Sequence, residues 1–349
     1  MIERLGVVDQ SPVGVGQTAA DALANSIDLA MRCEQLGYHR YWVAEHHSSV
    51  ALAGSAPEIL IGRLAAATER MRIGAGGVML THYSAYKVAE QFRMLHALFP
   101  DRIDLGLGRA PGSNQTTAAA LAKGPGALSA EHYPSQVVEL DAFLHDRPDP
   151  SGPFRDVRAS PIVDGAPAMW LLASSAGSAG IAAHLGMPLV WAHFIAWEDG
   201  APIVAAYRDR YQPSQRYPEP KVILATTAIC ADTKEEAATL ASSVQAWRAS
   251  GLQGPVPEPT KPSDSTTLRD EQTPAHMLRI DRAAKPLLHG DPERVHDELQ
   301  ALATRFGADE LLLVTITHEH AARVRSYELI AETFGLASAG AQASTVTAG

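Results

Sequence analysis

The feature that most constrains the fold is a regular alternation of short apolar runs with amphipathic stretches along the 349 residues. An apolar run of strand length followed by a stretch of helical periodicity is typical of a βα unit, whose strands become parallel neighbours in one sheet. The runs predict eight strands, over residues 5–9, 40–44, 72–80, 103–108, 168–173, 189–194, 222–230 and 310–316. Eight such repeats favour an α/β fold of the (β/α)8 TIM-barrel type, with an open doubly wound sheet as the alternative.

Two of the intervening helices have clear sequence signals at their ends. A helix is predicted to begin at Pro57, with a buried face formed by Ile59, Leu60, Leu64 and Ala67. A second is predicted to begin at the pair Asp291–Pro292, an N-cap followed by a first-turn proline, and to stop at Gly307.

Three segments interrupt the βα rhythm and are interpreted as insertions at the C-terminal face of the strands. They cover residues 110–133, 146–166 and 250–290 and are rich in Gly and Pro or in polar residues. Long loops in a compact barrel are typically lids or mobile segments over the active face, or excursions without a role. We expect one domain over residues 1–336 and a disordered tail over residues 337–349, whose composition is small and polar.

Composition excludes several classes of partner. The formal net charge of −10 provides no basic field to offset phosphate repulsion, so neither nucleic acid nor an anionic membrane is an expected partner. The two cysteines, Cys33 and Cys230, are far apart and lack metal-ligand spacing, which favours a reducing cytoplasm without a disulfide or a metal site. The N-terminus lacks the apolar region of a signal peptide, and no apolar run is long enough to span a bilayer.

In a barrel the chemistry lies at the C-terminal ends of the strands, so the residues after each apolar run are the candidates. The first strand ends in Asp9, Gln10 and Ser11, and the second in Glu45, His46 and His47. Neighbouring histidines on an extended segment point to opposite faces, so they are unlikely partners for one metal ion, and only one of them can face the barrel mouth. That histidine is either a hydrogen-bonded structural residue or an acid, base or electrostatic partner.

Glycines and an arginine mark the next two strand ends. Gly76 and Gly77 lie inside the third strand, where glycine loses packing, so either the strand bulges or a flat group approaches the backbone. Arg109 follows Gly108 at the end of the fourth strand and is either an anion-binding group or a salt bridge at the rim.

The clearest signal for an anion follows the fifth predicted strand. Ser174, Ser175 and Ser178 stand where a buried strand passes into a short helix, and hydroxyl groups with free N–H groups at a helix start can bind phosphate. Serine caps are also common without any ligand. Together with the bare glycines, the pattern indicates a planar phosphorylated cofactor.

These residues carry a resemblance to a known family. The chain resembles the bacterial luciferase-like flavin monooxygenases in four stretches that follow the family order over nearly its whole length. They are "EHH" at 45–47, "RIGAGGVML" at 72–80 with "VAEQFRMLHALFPDRIDLGLGRAPG" at 88–112, "SSAGSAGIAAHLG" at 174–186, and "GADELLLVTITHEHAARVRSYELIAETFGL" at 307–336.

The resemblance implies roles for single residues around flavin mononucleotide (FMN). His46 matches the family's catalytic histidine, Arg109 its phosphate-binding arginine, and the three serines its phosphate turn. Gly76 and Gly77 match a peptide, sometimes cis, that lies against the flavin ring, and Gly108 stands where luciferase has a reactive cysteine. Four further candidates for contacting substrate or supporting His46 are Glu45, His47, Tyr83 and His193.

The implied activity is oxygenation of an apolar organic substrate by reduced FMN and O2 through a flavin C4a-peroxide. An imidazole with a pKa near neutrality would give or withhold a proton at the mouth of a dry pocket, the role expected of His46. No dinucleotide G-x-G-x-x-G motif follows a strand, so we expect a separate flavin reductase, and we expect a homo-oligomer. Two alternatives stay open: a dehydrogenase that uses the deazaflavin F420, and a flavin-binding protein without turnover.

Overall fold

The predicted strands form one closed parallel barrel. The computed structural model describes residues 2, 4–110, 112, 114–121, 130–198, 200–252, 254–260 and 287–336. The strands in these ranges are β1 (Leu5–Asp9), β2 (Arg40–Val43), β3 (Arg72–Met79), β4 (Ile103–Gly108), β5 (Ala168–Ala173), β6 (Leu189–Ala192), β7 (Val222–Cys230), β8 (Leu287–Gly290) and β9 (Glu310–Val314). Strands β1 to β7 pair in order, and β9 pairs with both β7 and β1, so eight strands close on themselves. Closure confirms the TIM barrel and excludes the open sheet.

The described helices connect these strands. They are α1 (Ala19–Gln35), α2 (Pro57–Ala67), α3 (Ala85–Leu98), α4 (Gln115–Leu121), α5 (Tyr133–Leu144), α6 (Ala176–His184), α7 (Gly200–Asp209), α8 (Lys234–Ala249), α9 (Pro292–Phe306) and α10 (His320–Phe334). None of the helices in the described ranges is long and apolar enough to cross a membrane.

Local sequence signals explain where two of these helices begin and end. Asp291 accepts a hydrogen bond from the backbone N–H of Arg294, and α9 stops at Gly307, which has a positive φ of 56°, as predicted. In α2 the predicted buried face is wrong in part, since Ile59 is 72% exposed. Leu64 is buried as predicted, and Ile61 and Ala65, which were not predicted, are buried with it, because the helix contacts the barrel along a different stripe.

Alternate residues of the strands face two separate apolar layers. Val8, Trp42, Trp170, Ile223 and Leu312 belong to a cluster inside the barrel. Their immediate neighbours along the strands belong to a second cluster between the barrel and the helices. The period of two in a strand therefore decides which side chains can reach the barrel interior.

A charged group closes the N-terminal end of the barrel. Arg40 lies 2.6 Å from Asp104 and 2.6 Å from Glu310, and all three side chains are buried at the starts of β2, β4 and β9. The indole N–H of Trp42 donates to Asp104 at 2.9 Å, which ties the floor to the apolar interior. Within the barrel, these side chains fill the N-terminal end, and the C-terminal end is where barrel chemistry is expected.

The insertion after β7 packs at the C-terminal end. This insertion, residues 250–290, follows α8 and contains the strand β8, which was not predicted and which pairs with Thr227–Cys230 of β7. Val256 is fully buried and exchanges backbone hydrogen bonds with Val13 (2.8 Å) and Val15 (2.9 Å), just after β1. The described part of this insertion thus covers one side of the barrel mouth, while residues 261–286 lie outside the described ranges.

The other two insertions have different positions. Segment 146–166 connects α5 to β5, so it lies at the N-terminal ends of the strands and not over the predicted active face. Arg93 of α3 holds it by donating to the carbonyl of Pro161 at 2.7 Å. The 110–133 segment follows β4 and contains α4, but residues 122–129 lie outside the described ranges, as does the predicted tail, 337–349.

Candidate functional site

A cavity of about 240 Å³ opens at the C-terminal end of the barrel. Its size is near the lower end for ligand pockets in proteins, and its wall combines apolar side chains with a few polar groups. The lining residues are Val8, Gln10, Trp42, Ala44, Glu45, His46, Gly76, Met79, Gly108, Arg109, Ala110, Leu172, Ala173, Ser174, Ser175, Ser178, Val190, Ala192, Phe194, Ile195 and Ala225. Eight of the twelve predicted site residues are among them, and the other four are Gly77, His47, Tyr83 and His193.

His46 reaches the cavity by the alternation that starts in β2. Trp42 and Ala44 face inward, and His46 continues that side, whereas Tyr41 and Val43 face the helices. The backbone N–H of His46 donates to the carbonyl of Gly54 at 2.8 Å, which fixes this segment beyond the end of the strand. The prediction that only one of the two histidines faces the mouth is confirmed, since His47 turns to Glu45.

The imidazole of His46 has an unusual electrostatic state. Its Nδ1 atom is buried and has no hydrogen-bond partner among the described residues. Burial lowers the pKa of His46 to about 4, and the neighbouring His47 contributes in the same direction. This pKa lies below the expected value near neutrality, because desolvation disfavours the imidazolium. His46 is neutral at pH 7 and can offer one nitrogen to a group in the cavity.

Glu45 is the centre of a hydrogen-bond network behind His46. Its carboxylate contacts His47 Nε2 at 2.7 Å and accepts from the hydroxyl of Tyr83 at 2.6 Å and the backbone N–H of Met79 at 2.9 Å. Glu45 itself is 1% exposed. The network joins the end of β2 to the turn after β3, so Glu45, His47 and Tyr83 support the cavity wall.

Two glycines, Gly76 and Gly108, line the β3–β4 side of the cavity beside Met79. A Cβ atom on Gly76 would lie 3.1 Å from the Trp42 ring, and one on Gly108 would lie 2.9 Å from the Met79 methyl group. Gly77 does not line the cavity, since its Cβ position lies 2.6 Å from the carbonyl oxygen of Gly106. The Gly76–Gly77 peptide is cis, and the register with β4 shifts there. The sequence left open whether the strand bulges or a flat group approaches its backbone. The strand is irregular at this point, and Gly76 also carries no side chain into the cavity.

Arg109, at the end of β4, is the cation of this wall. No carboxylate among the described residues pairs with Arg109, and a Cβ on Gly177 in the first turn of α6 would be 4.0 Å from its Nη2. Ser175 is the N-cap of α6 and accepts from the backbone N–H of Ser178 at 3.4 Å, a long hydrogen bond. The arrangement offers a guanidinium, hydroxyl groups and a helix N-terminus to one anion.

His193 faces away from the cavity. Its Nδ1 lies 3.0 Å from the Thr226 hydroxyl, and its ring packs on Phe306 of α9 with centroids 5.5 Å apart. Because inward and outward positions alternate past β6, Ala192 and Phe194 line the cavity while His193 points to the helices. The candidate role of His193 in substrate contact is thus not supported by its position.

Most of the apolar residues that line the cavity were not predicted from the sequence. Trp42, Met79, Leu172 and Phe194 line the cavity without having been singled out. Gln10 was assigned to the end of β1 without a role. Because side chains alternate along a strand, Gln10 follows Val8 on the side that faces the cavity. The same period of two, applied strictly to β1 and β6, would have found Gln10 and Phe194.

The residues fit a planar cofactor that carries a phosphate. Arg109 and the start of α6 lie together at the cavity wall, Gly76 and Gly108 carry no side chain into the cavity, and His46 is part of the same wall. Fold and cavity thus define a (β/α)8-barrel protein with a candidate ligand site at the C-terminal ends of its strands.

Comparison with known proteins then identifies the family. Residues 3–310 match the family model described as luciferase-like monooxygenase, and the chain belongs to this family. It is 43% identical over 330 residues to the uncharacterized protein YwcH of Bacillus subtilis (strain 168), covering 95% of this chain and 98% of that protein. It is 36% identical over 331 residues to the N-acetyl-S-alkylcysteine monooxygenase of the same organism, covering 94% and 97%.

Solved structures give the same fold. The chain is similar to apo-MsnO8, with a TM-score of 0.84, 39% identity and coverage of 95% of this chain and 98% of that one. It is similar in fold to the oxygenating constituent of 3,6-diketocamphane monooxygenase from Pseudomonas putida in complex with FMN, with a TM-score of 0.67, 18% identity and coverage of 95% and 97%. An F420-dependent secondary alcohol dehydrogenase shares the fold, with a TM-score of 0.65, 14% identity and coverage of 96% and 99%.

Proposed function

We propose that this protein is a monooxygenase that uses reduced FMN and O2 to oxygenate an apolar organic molecule, by the route that the family resemblance implies. The observation that carries the proposal is the guanidinium of Arg109, which pairs with no carboxylate among the described residues and lies beside the start of α6 at the cavity wall. A half-buried cation without a counter-ion is costly unless a ligand supplies the negative charge. The phosphate of FMN supplies it, with Ser174, Ser175 and Ser178 as further donors.

The ring of FMN would lie on the bare wall at Gly76 and Gly108. Bound reduced flavin supplies two electrons, so that one oxygen atom of O2 enters the substrate and the other leaves as water. The apolar wall, which includes Trp42, Leu172 and Phe194, excludes bulk water from the reacting groups.

His46 would control a proton next to the ring. Because its pKa is about 4, the unprotonated imidazole predominates at neutral pH, and such a ring can accept a hydrogen bond at one nitrogen and donate at the other. Glu45 holds Met79 and Tyr83 and so keeps the end of β3 in place beside it. Glu45, His47 and Tyr83 act as positioning residues in this proposal.

The printed names of relatives guide the choice of cofactor and substrate. A 36% identical relative is named a monooxygenase of an N-acetyl-S-alkylcysteine, which supports oxygen transfer and adds thioethers to the substrates worth testing. A phosphate site alone suits F420 as well, so F420-dependent dehydrogenation stays the alternative. We propose a separate flavin reductase as the source of electrons.

Oxygen consumption separates these functions. The protein would be mixed with FMN, NADH and a flavin reductase, and O2 uptake, hydrogen peroxide and products would be measured with aldehydes, ketones and thioethers under ¹⁸O2. The proposal predicts one ¹⁸O atom in the product for each O2 consumed, with less hydrogen peroxide than in the reductase-only control. Reduction of a ketone by reduced F420 without O2 would establish the dehydrogenase, and flavin retention with neither reaction would establish a binding protein.

A further inference from the structure

Gln10 has no role in the proposed chemistry, yet its side chain lines the cavity. It is half-buried, and no described residue makes a hydrogen bond with its amide group. An amide in a cavity wall is desolvated in part, so it contributes most when a ligand satisfies it. Gln10 therefore requires an explanation that the phosphate site and His46 do not give.

The orientation of Gln10 is fixed by its neighbours. Asp9 faces the opposite side of β1, where it accepts from Arg323 at 2.6 Å and from the hydroxyl of Tyr41 at 2.6 Å. Asp9 also accepts from the backbone N–H of Ser11 at 2.7 Å, and Ser11 has a positive φ of 48°. The chain is thus held on both sides of Gln10, whose side chain continues the inward row after Val8.

The surroundings of Gln10 are otherwise apolar. Apart from Gln10, Glu45, His46, Arg109 and the three serines, the described residues that line the cavity are apolar or glycine, among them Val8, Val190 and Phe194. Arg109 is the only lysine or arginine among the described lining residues, and the proposed phosphate neutralises it. His46 is neutral at pH 7, and the carboxylate of Glu45 is already held by three donors. No described lining residue outside the proposed phosphate site therefore offers an unpaired charge to a charged substrate.

We infer that Gln10 is a specificity-determining residue that orients the substrate by a hydrogen bond, and that the substrate is an uncharged molecule with an apolar body and one carbonyl-type group. The amide can donate to a carbonyl oxygen and accept from an N–H or O–H group, so it suits a ketone, aldehyde or amide. This inference rests on the proposed function for the identity of the reaction, but the binding preference can be measured without turnover.

Three probes of similar shape test the preference: acetophenone, α-methylstyrene, which replaces the carbonyl oxygen by CH2, and benzoate, which is anionic. Dissociation constants would be measured by isothermal titration with and without saturating FMN. Wild-type protein should bind acetophenone about two- to tenfold more tightly than α-methylstyrene, the range for one neutral hydrogen bond, and should bind benzoate more weakly than both.

Gln10→Leu should abolish the preference for acetophenone and leave the dissociation constant of α-methylstyrene and of FMN unchanged. Gln10→Glu should weaken acetophenone binding as well and exclude benzoate further, which provides a second variant if the first does not fold. Gln212→Leu is the matched control, because Gln212 is exposed in the loop between α7 and β7, at the opposite end of the barrel.

Several outcomes would overturn the inference. These are no binding of acetophenone, equal affinities for the two neutral probes, a preference that survives Gln10→Leu, or benzoate as the tightest ligand. A loss of FMN affinity in Gln10→Leu would place the residue against the cofactor and would also contradict the inference. Failure of wild-type protein to bind FMN would contradict the proposed function, while the preference measured without FMN would still decide the role of Gln10.

Discussion

Replacement of His46 by Ala should separate catalysis from stability. With a pKa of about 4, only about one imidazole in a thousand is protonated at pH 7, so the variant removes a neutral hydrogen-bonding group. Loss of a positioned acid or base typically lowers turnover about 100- to 10,000-fold. We expect product formation to fall by a factor in that range, while hydrogen peroxide per O2 consumed rises, because the cavity still binds flavin through Arg109.

The structure also sets the expected effect on stability. A buried hydrogen-bonded histidine would leave an unpaired partner when removed, at about 1–3 kcal/mol. The Nδ1 of His46 has no partner among the described residues, so His46→Ala should change the free energy of unfolding by less than this. His47→Ala is the contrasting variant, since it removes one of three contacts to the buried Glu45 and should cost about 1–3 kcal/mol with little change in peroxide yield.

The assay combines product yield, peroxide yield and denaturant unfolding for wild type and both variants. A His46→Ala protein that binds FMN normally and keeps the wild-type product yield would refute the catalytic role. A loss of stability in His46→Ala equal to that in His47→Ala, with coupling unchanged, would indicate a structural role only.

Two further predictions concern packing and pH. Gly77→Ala should lower the free energy of unfolding by about 1–3 kcal/mol or more, because its Cβ would lie 2.6 Å from the backbone oxygen of Gly106. Gly180→Ala in α6 is the control, because a Cβ there would have nothing within 4 Å. In denaturant unfolding this control should be neutral or stabilising. For pH, the folded-state pKa of His46 lies below its unfolded value, so the unfolded state takes up a proton first and stability falls as the pH drops from about 6.5 to about 4. Urea unfolding across that window should show that the free energy of unfolding falls less toward acid pH in His46→Ala than in wild type. The same pH dependence in both proteins would contradict the lowered pKa of His46.

The barrel could be predicted from the sequence because each predicted strand is a short apolar run, which is recognisable from the local sequence alone. It did not predict β8, whose four residues Leu287–Gly290 contain two leucines inside a polar insertion. Its pairing depends on the end of β7, which only the fold brings near. Strand ends differ from the prediction for the same reason, since β6 stops at Ala192 where its backbone leaves the ladder.

Part of the candidate site could also be predicted from the sequence, and part could not. His46 could be placed from alternation along one strand, and Arg109 and the serines from their positions after β4 and β5. The Glu45 network could not, because it joins residues 45, 79 and 83 across two strand ends. The pKa of His46 was also beyond sequence reasoning, since it depends on how other elements exclude water from the ring.

The central claim is that Arg109 and the start of α6 hold the phosphate of a flavin, and the most direct measurement compares FMN with riboflavin. Dissociation constants for both, in their reduced forms under anaerobic conditions, would be determined for wild type, Arg109→Ala and the exposed control Arg155→Ala. A charge-assisted hydrogen bond of about 1.5–3 kcal/mol predicts that Arg109→Ala weakens FMN about 10- to 150-fold and leaves riboflavin nearly unchanged. Equal weakening of both ligands, or wild-type protein that does not distinguish FMN from riboflavin, would contradict the account.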